Sequence, residues 1–139
     1  DDEIMLTIKP GQHGSTFGGN PIAARVAQVA LHVVEDEELM QRARRQGVHF
    51  RATLNQELGS HPLVAQVRGR GLLNAVVINT PADSHVAWDL CLAMAKAGVL
   101  AKPTHGNIIR FAPPLVLTDA ELDEALARIV GAVKNFRAA

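Results

Sequence analysis

The chain has 139 residues, enough for one hydrophobic core, because a domain near this size buries roughly 68–70% of the surface its unfolded chain exposes. Lys+Arg and Asp+Glu both number 14, giving a formal net charge of +0, so no global field draws the chain to nucleic acid or to an anionic membrane. The lone cysteine, Cys91, excludes an intramolecular disulfide, no apolar run approaches the roughly 18 residues of a membrane span, and the N-terminus is acidic where a signal peptide is basic and then apolar; the expectation is a cytoplasmic protein of a reducing compartment.

The chain opens Asp1-Asp2-Glu3 without an initiator methionine, so residue 1 is expected to be an interior position of a longer product or a processed start. Residues Asp1 to Ile8 predict a short helix with acidic residues in its first turn, closed by Pro10-Gly11. Gln12 to Gly19 reads as loop. Asn20 is a good N-cap and Pro21 a good first helical residue, and Ile22, Val26, Val29, Ala30 and Val33 follow at helical spacing. From Asp36 to Leu58 the pattern repeats, with Leu39, Ala43, Phe50, Leu54 and Leu58 inward and Arg42, Arg44, Arg45 and Glu57 mostly outward; Gly59 ends it.

Two strands are predicted next, Val64 to Arg68 and Leu72 to Ile78, hinged at Gly69-Arg70-Gly71, the second nearly continuous in apolar residues as a buried strand would be. Ser84 caps a predicted helix from His85 to Ala97, with Ala87, Leu90, Cys91, Met94 and Ala95 on its inner face and Gly98 as its stop. Short strands at Val99 to Lys102 and Ile108 to Phe111 flank a turn from Pro103 to Asn107. Thr118-Asp119-Ala120-Glu121 is a capping box opening a last helix with the stripe Leu122, Leu126, Ile129, Val133 and Phe136. This order predicts an α/β fold with a small, mainly antiparallel sheet covered by helices.

Chemistry concentrates in two places. In the loop His13 to Pro21, Ser15 and Thr16 offer hydroxyls, and Gly14, Gly18 and Gly19 let backbone N–H groups approach an anion, with the helix start at Asn20 adding positive potential. The same composition also describes an ordinary polar loop between elements. Far downstream, Arg110 sits between apolar neighbours, where a buried guanidinium must meet an anion, either a ligand carboxylate or a structural Asp or Glu. The six histidines show no metal-ligand spacing. Cys91 reads as core packing, Arg42, Arg44 and Arg45 as a solvated helix face, and Arg70 as an exposed turn residue able to touch an anion. A Ser-His-Asp arrangement has no GxSxG elbow to support it.

The segments HGSTFGGNP (His13 to Pro21), VRGRGLLNAVVI (Val67 to Ile78) and AKPTHGNIIRFAPPLVLT (Ala101 to Thr118) resemble the C-terminal part of the ornithine aminotransferases, which belong to the class III pyridoxal-phosphate (PLP) aminotransferases of fold type I. The resemblance runs from Asp1 into the last helix. It implies that residues 1–20 are a remnant of the large cofactor domain carrying a phosphate loop, and that residues 21–139 form the small C-terminal domain with its connecting helix.

For single residues, the resemblance implies that the loop with Ser15 and Thr16 reaches the cofactor phosphate of a neighbouring subunit, so a dimer or higher assembly is expected. It implies that Arg110 receives a substrate carboxylate, chiefly that of glutamate or 2-oxoglutarate. The implied reaction converts ornithine and 2-oxoglutarate to glutamate semialdehyde and glutamate. The family's Schiff-base lysine lies upstream of the position matching Asp1, and Lys9, Lys96, Lys102 and Lys134 do not match it. The chain is therefore expected to need an upstream aminotransferase portion and to be inactive alone; the alternative is a non-catalytic relic or subunit-binding module of the same fold.

Overall fold

Asn20 and Pro21 open the first long helix as the sequence implies: the Asn20 Oδ1 accepts hydrogen bonds from the backbone N–H groups of Ile22 and Ala23 at 2.9 and 3.1 Å, and Pro21 needs no N–H partner in the first turn. The structure, a computed structural model, describes residues 1–137. The chain divides into two compact units, Asp1–Glu37 and the residues from Glu38 onward.

The first unit holds helices α1 (Asp2–Met5) and α2 (Pro21–Asp36). Helix α1 stops well short of Ile8, because Thr7 and Ile8 donate to the carbonyls three residues back, of Ile4 and Met5, and tighten the chain out of the α-helical path. Helix α2 carries its expected stripe, yet buries no residue. Ile22 is 75% exposed and Val26 62%, so an apolar side of an otherwise well-capped helix faces solvent in this chain.

The second unit holds α3 (Leu39–Leu58), β1 (Val64–Arg70), β2 (Leu73–Ile78), α4 (Val86–Lys96), β3 (Lys102–Thr104), β4 (Ile108–Phe111) and α5 (Asp119–Asn135). The four strands form one antiparallel sheet in the order β1-β2-β4-β3. A single core joins Phe50, Leu54 and Leu58 of α3, Val76, Ile78, Ile109 and Phe111 of the sheet, Leu90 and Met94 of α4, and Leu122, Leu126 and Ile129 of α5. The Phe50 and Phe111 rings meet at 5.6 Å with a tilt of 53°, a geometry that suits aromatic quadrupoles. No helix among the described residues is long and apolar enough to cross a membrane.

Several boundaries differ from expectation for local reasons. Helix α3 begins at Leu39 rather than Asp36, because Glu38 takes a left-handed backbone (φ 51°) that no helix continues through. The predicted strand at Val99 to Lys102 is displaced to Lys102–Thr104. Gly98 (φ +88°) and Val99 close α4 instead: their N–H groups donate to the carbonyls of Ala95 and Met94, the paired bonds of a Schellman cap. Pro103 lies in β3 rather than in the turn, which is tolerated because β3 is an edge strand. Gly69 and Arg70 belong to β1, and the reversal is confined to Gly71 (φ +52°) and Leu72. Ala95, expected inward, is exposed.

The capping box at α5 is present. The Thr118 hydroxyl accepts from the Glu121 N–H at 3.3 Å, and the Glu121 carboxylate accepts from the Thr118 N–H at 2.8 Å. Those bonds from the Thr118 backbone and then its side chain hold the Glu121 carboxyl below its ordinary value. A carboxylate whose folded value is lowered contributes stability above its unfolded value and loses it as the pH falls through the folded one. Acid titration of thermal stability is therefore expected to fall less steeply in Glu121→Gln than in the parent, and identical slopes would remove Glu121 from the helix start.

Candidate functional site

The sheet has one face under helices and one open face, and strand alternation sorts the residues between them. On the covered face Val76 pairs with Ile109, which are 3% and 1% exposed. One residue further along, the open face carries a row across all four strands: Arg68 pairs with Ala75, Ala75 with Arg110, and Arg110 with Lys102. Arg110 is therefore exposed, not buried as its apolar neighbours suggest. Ile109 and Phe111 point into the core, and a period of two sends the residue between them to the other side.

A cleft of about 440 Å³ lies on this open face, with Arg68, Arg70, Thr104, His105 and Arg110 among its lining residues and no Asp or Glu on its walls. None of its three arginines takes part in an ion pair among the described residues; the pairs present are His49 with Asp123, Arg128 with Glu124, and Lys134 with Glu57. Exposed guanidinium groups gathered without a carboxylate are suited to bind an anion through charge-assisted, bidentate hydrogen bonds. Arg70 thus joins Arg110 at one cleft, from the end of β1 rather than from a turn.

The turn that carries His105 shapes the other end of this cleft. His105 (φ 50°) and Gly106 (φ +76°) are both left-handed, and a Cβ on Gly106 would lie 1.6 Å from the Ala82 carbonyl oxygen. Asn107 locks the turn, its Nδ2 donating to the carbonyls of Ile78 and Thr80 at 3.3 and 3.0 Å. The β3–β4 hairpin is thereby fixed to the end of β2, and Arg110 stands on a rigid base.

The loop with Ser15 and Thr16 lies in the first unit. The Ser15 Oγ accepts from the Gly18 N–H at 2.9 Å, which shapes the loop and leaves the hydroxyl proton free to donate outward. Thr16 is exposed, and the positions above Gly14 and Gly19 are open space. These exposed donors fit a phosphate arriving from outside the loop. The start of α2 adds less than expected, because the Asn20 side chain already occupies the N–H groups of Ile22 and Ala23.

Two buried polar groups escaped the sequence reading, and both are structural. Asn74, 1% exposed, accepts from Arg51 at 2.7 Å and donates to the Gly71 carbonyl at 3.2 Å, tying α3 to the β1–β2 turn. Gln46, 3% exposed, donates to the Leu117 carbonyl and to Asp119, both at 2.8 Å, fixing the start of α5. Cys91 is buried in the core, and burial pushes its thiol up to about 11, which leaves it a packing residue. Among the described residues no group of three or more His, Cys, Asp or Glu side chains is placed to hold a metal ion.

The same architecture recurs in known proteins. The aminotransferase class-III family model matches residues 1–133. Ornithine aminotransferase from Emericella nidulans is 52% identical over 135 residues, which is 96% of this chain and 29% of that protein. Among solved structures, the acetylornithine aminotransferase from Elizabethkingia anophelis matches with a TM-score of 0.85 and 52% identity, covering 98% of this chain and 36% of that one. The ornithine aminotransferase of Toxoplasma gondii matches with a TM-score of 0.81 and 47% identity over 94% of this chain and 31% of that one, and that structure is described as holding PLP at partial occupancy in its active site. The chain spans about 29% of the length of the first of these relatives. Its small antiparallel sheet and helices are those expected of the small domain of fold type I. With the family model matched across residues 1–133 and the resembling segments forming the sheet strands and the glycine loop, the chain belongs to the aminotransferase class-III family.

Proposed function

We propose that this chain is the C-terminal portion of an ornithine–oxo-acid aminotransferase, converting ornithine and 2-oxoglutarate to glutamate semialdehyde and glutamate once an upstream portion supplies the Schiff-base lysine. The observation that carries this reading is Arg110, exposed and without an ion-pair partner among the described residues, in a cleft whose walls hold no carboxylate. The ornithine aminotransferases from Emericella nidulans and Toxoplasma gondii, at 52% and 47% identity, support ornithine as the amino donor, and the acetylornithine aminotransferase at 52% makes acetylornithine the competing one. PLP, when bound, supplies an electron sink for the bond changes at the amino-bearing carbon.

The chain's own residues bind and orient. Arg110 holds a carboxylate of glutamate or 2-oxoglutarate by two parallel N–H···O bonds, which fixes the plane of that end of the substrate. Thr16 and Ser15 would hold the cofactor phosphate through hydrogen bonds donated by their hydroxyl groups, across a subunit boundary in a dimeric assembly. None of the four lysines takes the Schiff-base role, and Lys134 is held by Glu57 at 2.6 Å, so the isolated chain is inactive.

Arg110→Lys tests the reading in the assembled enzyme. A lysine keeps the charge and loses the bidentate fork, so the KM for 2-oxoglutarate is expected to rise roughly tenfold or more. The melting temperature should stay within a degree or so, because an exposed side chain without a partner holds nothing in the fold. Equal losses of stability and of 2-oxoglutarate use would return Arg110 to a structural role.

A further inference from the structure

We propose that Arg68 is a second anion-holding residue of this cleft, acting beside Arg110 so that the site prefers an acid with two carboxylates over an acid with one. The inference rests on the reading of Arg110 as a carboxylate receptor and extends it to a residue two strands away.

The register places them together. Arg68 pairs with Ala75 and Ala75 with Arg110, so the two arginines stand at one level on one face, two strand spacings or roughly 9.5 Å apart at the backbone. The residue between them is alanine, too short to screen one guanidinium from the other. Both line the same cleft and both are exposed. Neither has an ion-pair partner among the described residues. Like charges side by side on a sheet repel, and the arrangement is relieved when an anion bridges them.

The other cations of this face fit the role less well. Lys102 flanks Arg110 on the far side, from β3, but does not line the cleft. Arg70 lines it from the end of β1 and is shared with a neighbouring groove that also touches Arg44 and Arg51. Arg68 alone is both level with Arg110 and separated from it by a small residue. Two long side chains reaching inward from positions that far apart bracket the two ends of a short dicarboxylate, each able to make charge-assisted bonds.

The test uses the 139-residue chain and two unreactive probes, glutarate and butyrate, titrated at low ionic strength and followed by NMR, with Arg42→Gln on α3 as an equal-charge control. The parent chain is expected to bind glutarate about tenfold or more tightly than butyrate. Arg68→Gln should bring glutarate to the level of butyrate with the butyrate affinity and melting temperature retained, and Arg42→Gln should leave the preference in place. A glutarate preference that survives Arg68→Gln, or that Arg42→Gln removes equally, overturns the proposal. If neither probe binds the parent chain, it is overturned as well. Butyrate binding lost in Arg110→Gln keeps the Arg110 reading even when the Arg68 proposal fails, and butyrate binding unchanged in Arg110→Gln sinks the Arg110 reading itself.

Discussion

Alanine at Gly47 is expected to destabilise the second unit by about 3 kcal/mol, whereas alanine at Gly131 is expected to stabilise it by up to about 1 kcal/mol. Both glycines lie inside long helices, α3 and α5, and both cost the helix the same backbone freedom relative to alanine. Their surroundings are opposite. A Cβ on Gly47 would sit 1.9 Å from the Gly71 carbonyl oxygen, whereas nothing lies within 4 Å of a Cβ on Gly131. Helix α3 lies against the backbone of the β1–β2 turn at this point, and Arg51, one turn further on, donates to the same Gly71 carbonyl at 3.0 Å. A methyl group there pushes the turn away, loosens the bonds from Arg51 to Gly71 and Asn74 and disturbs the strands that carry Arg68 and Arg110. In thermal unfolding, a loss of about 3 kcal/mol corresponds to a fall of roughly 12–24 °C for a unit of this size. Equal rises for Gly47→Ala and Gly131→Ala would show that α3 does not need the close approach.

Gly47 also shows where sequence reading stops. The start of α2, the Thr118 capping box and the Gly98 stop are local signals, each written within a few residues, and all three are present in the structure. The clash that makes Gly47 necessary is with a residue far along the chain, and a glycine in a helical pattern carries no mark of it. The left-handed Glu38 is equally silent, sitting in a run of acidic residues that favours no particular break. The displaced β3 has a different origin: the helix cap uses Gly98 and Val99, which sequence alone assigns to a strand. The exposure of Arg110 is not legible locally, because its apolar flanks suggest burial, whereas strand alternation buries Ile109 and Phe111 and turns Arg110 outward. Its alignment with Arg68 depends on strand order and register, which no local pattern encodes.

Co-expression with the upstream portion of an ornithine aminotransferase is expected to change this chain from inactive to active, the largest functional effect foreseen. The chain spans about 29% of the relative from Emericella nidulans, and under the proposed function the Schiff-base lysine comes from the upstream portion. Within residues 1–37 the apolar side chains Ile4, Leu6, Phe17, Ile22 and Val26 are each more than 60% exposed, and α2 has no buried residue. An apolar surface of this kind is stabilised by a partner, at about 25 cal/mol for each Å² removed from water. The two portions should therefore associate at micromolar concentration, protect α2 from hydrogen exchange and bind PLP. Transamination of ornithine should appear only in the complex. Thr16→Ala should then weaken PLP binding roughly tenfold, because one hydroxyl donor to a phosphate is worth about 1.5 kcal/mol, while leaving the association intact, since an exposed threonine contributes little to an apolar contact. Portions that fail to associate, or that co-purify without activity, favour the reading of this chain as a non-catalytic relic or subunit-binding module. In that case the exposed side of α2 would still seek a partner, but Arg110 and Thr16 would be free to vary without loss of function.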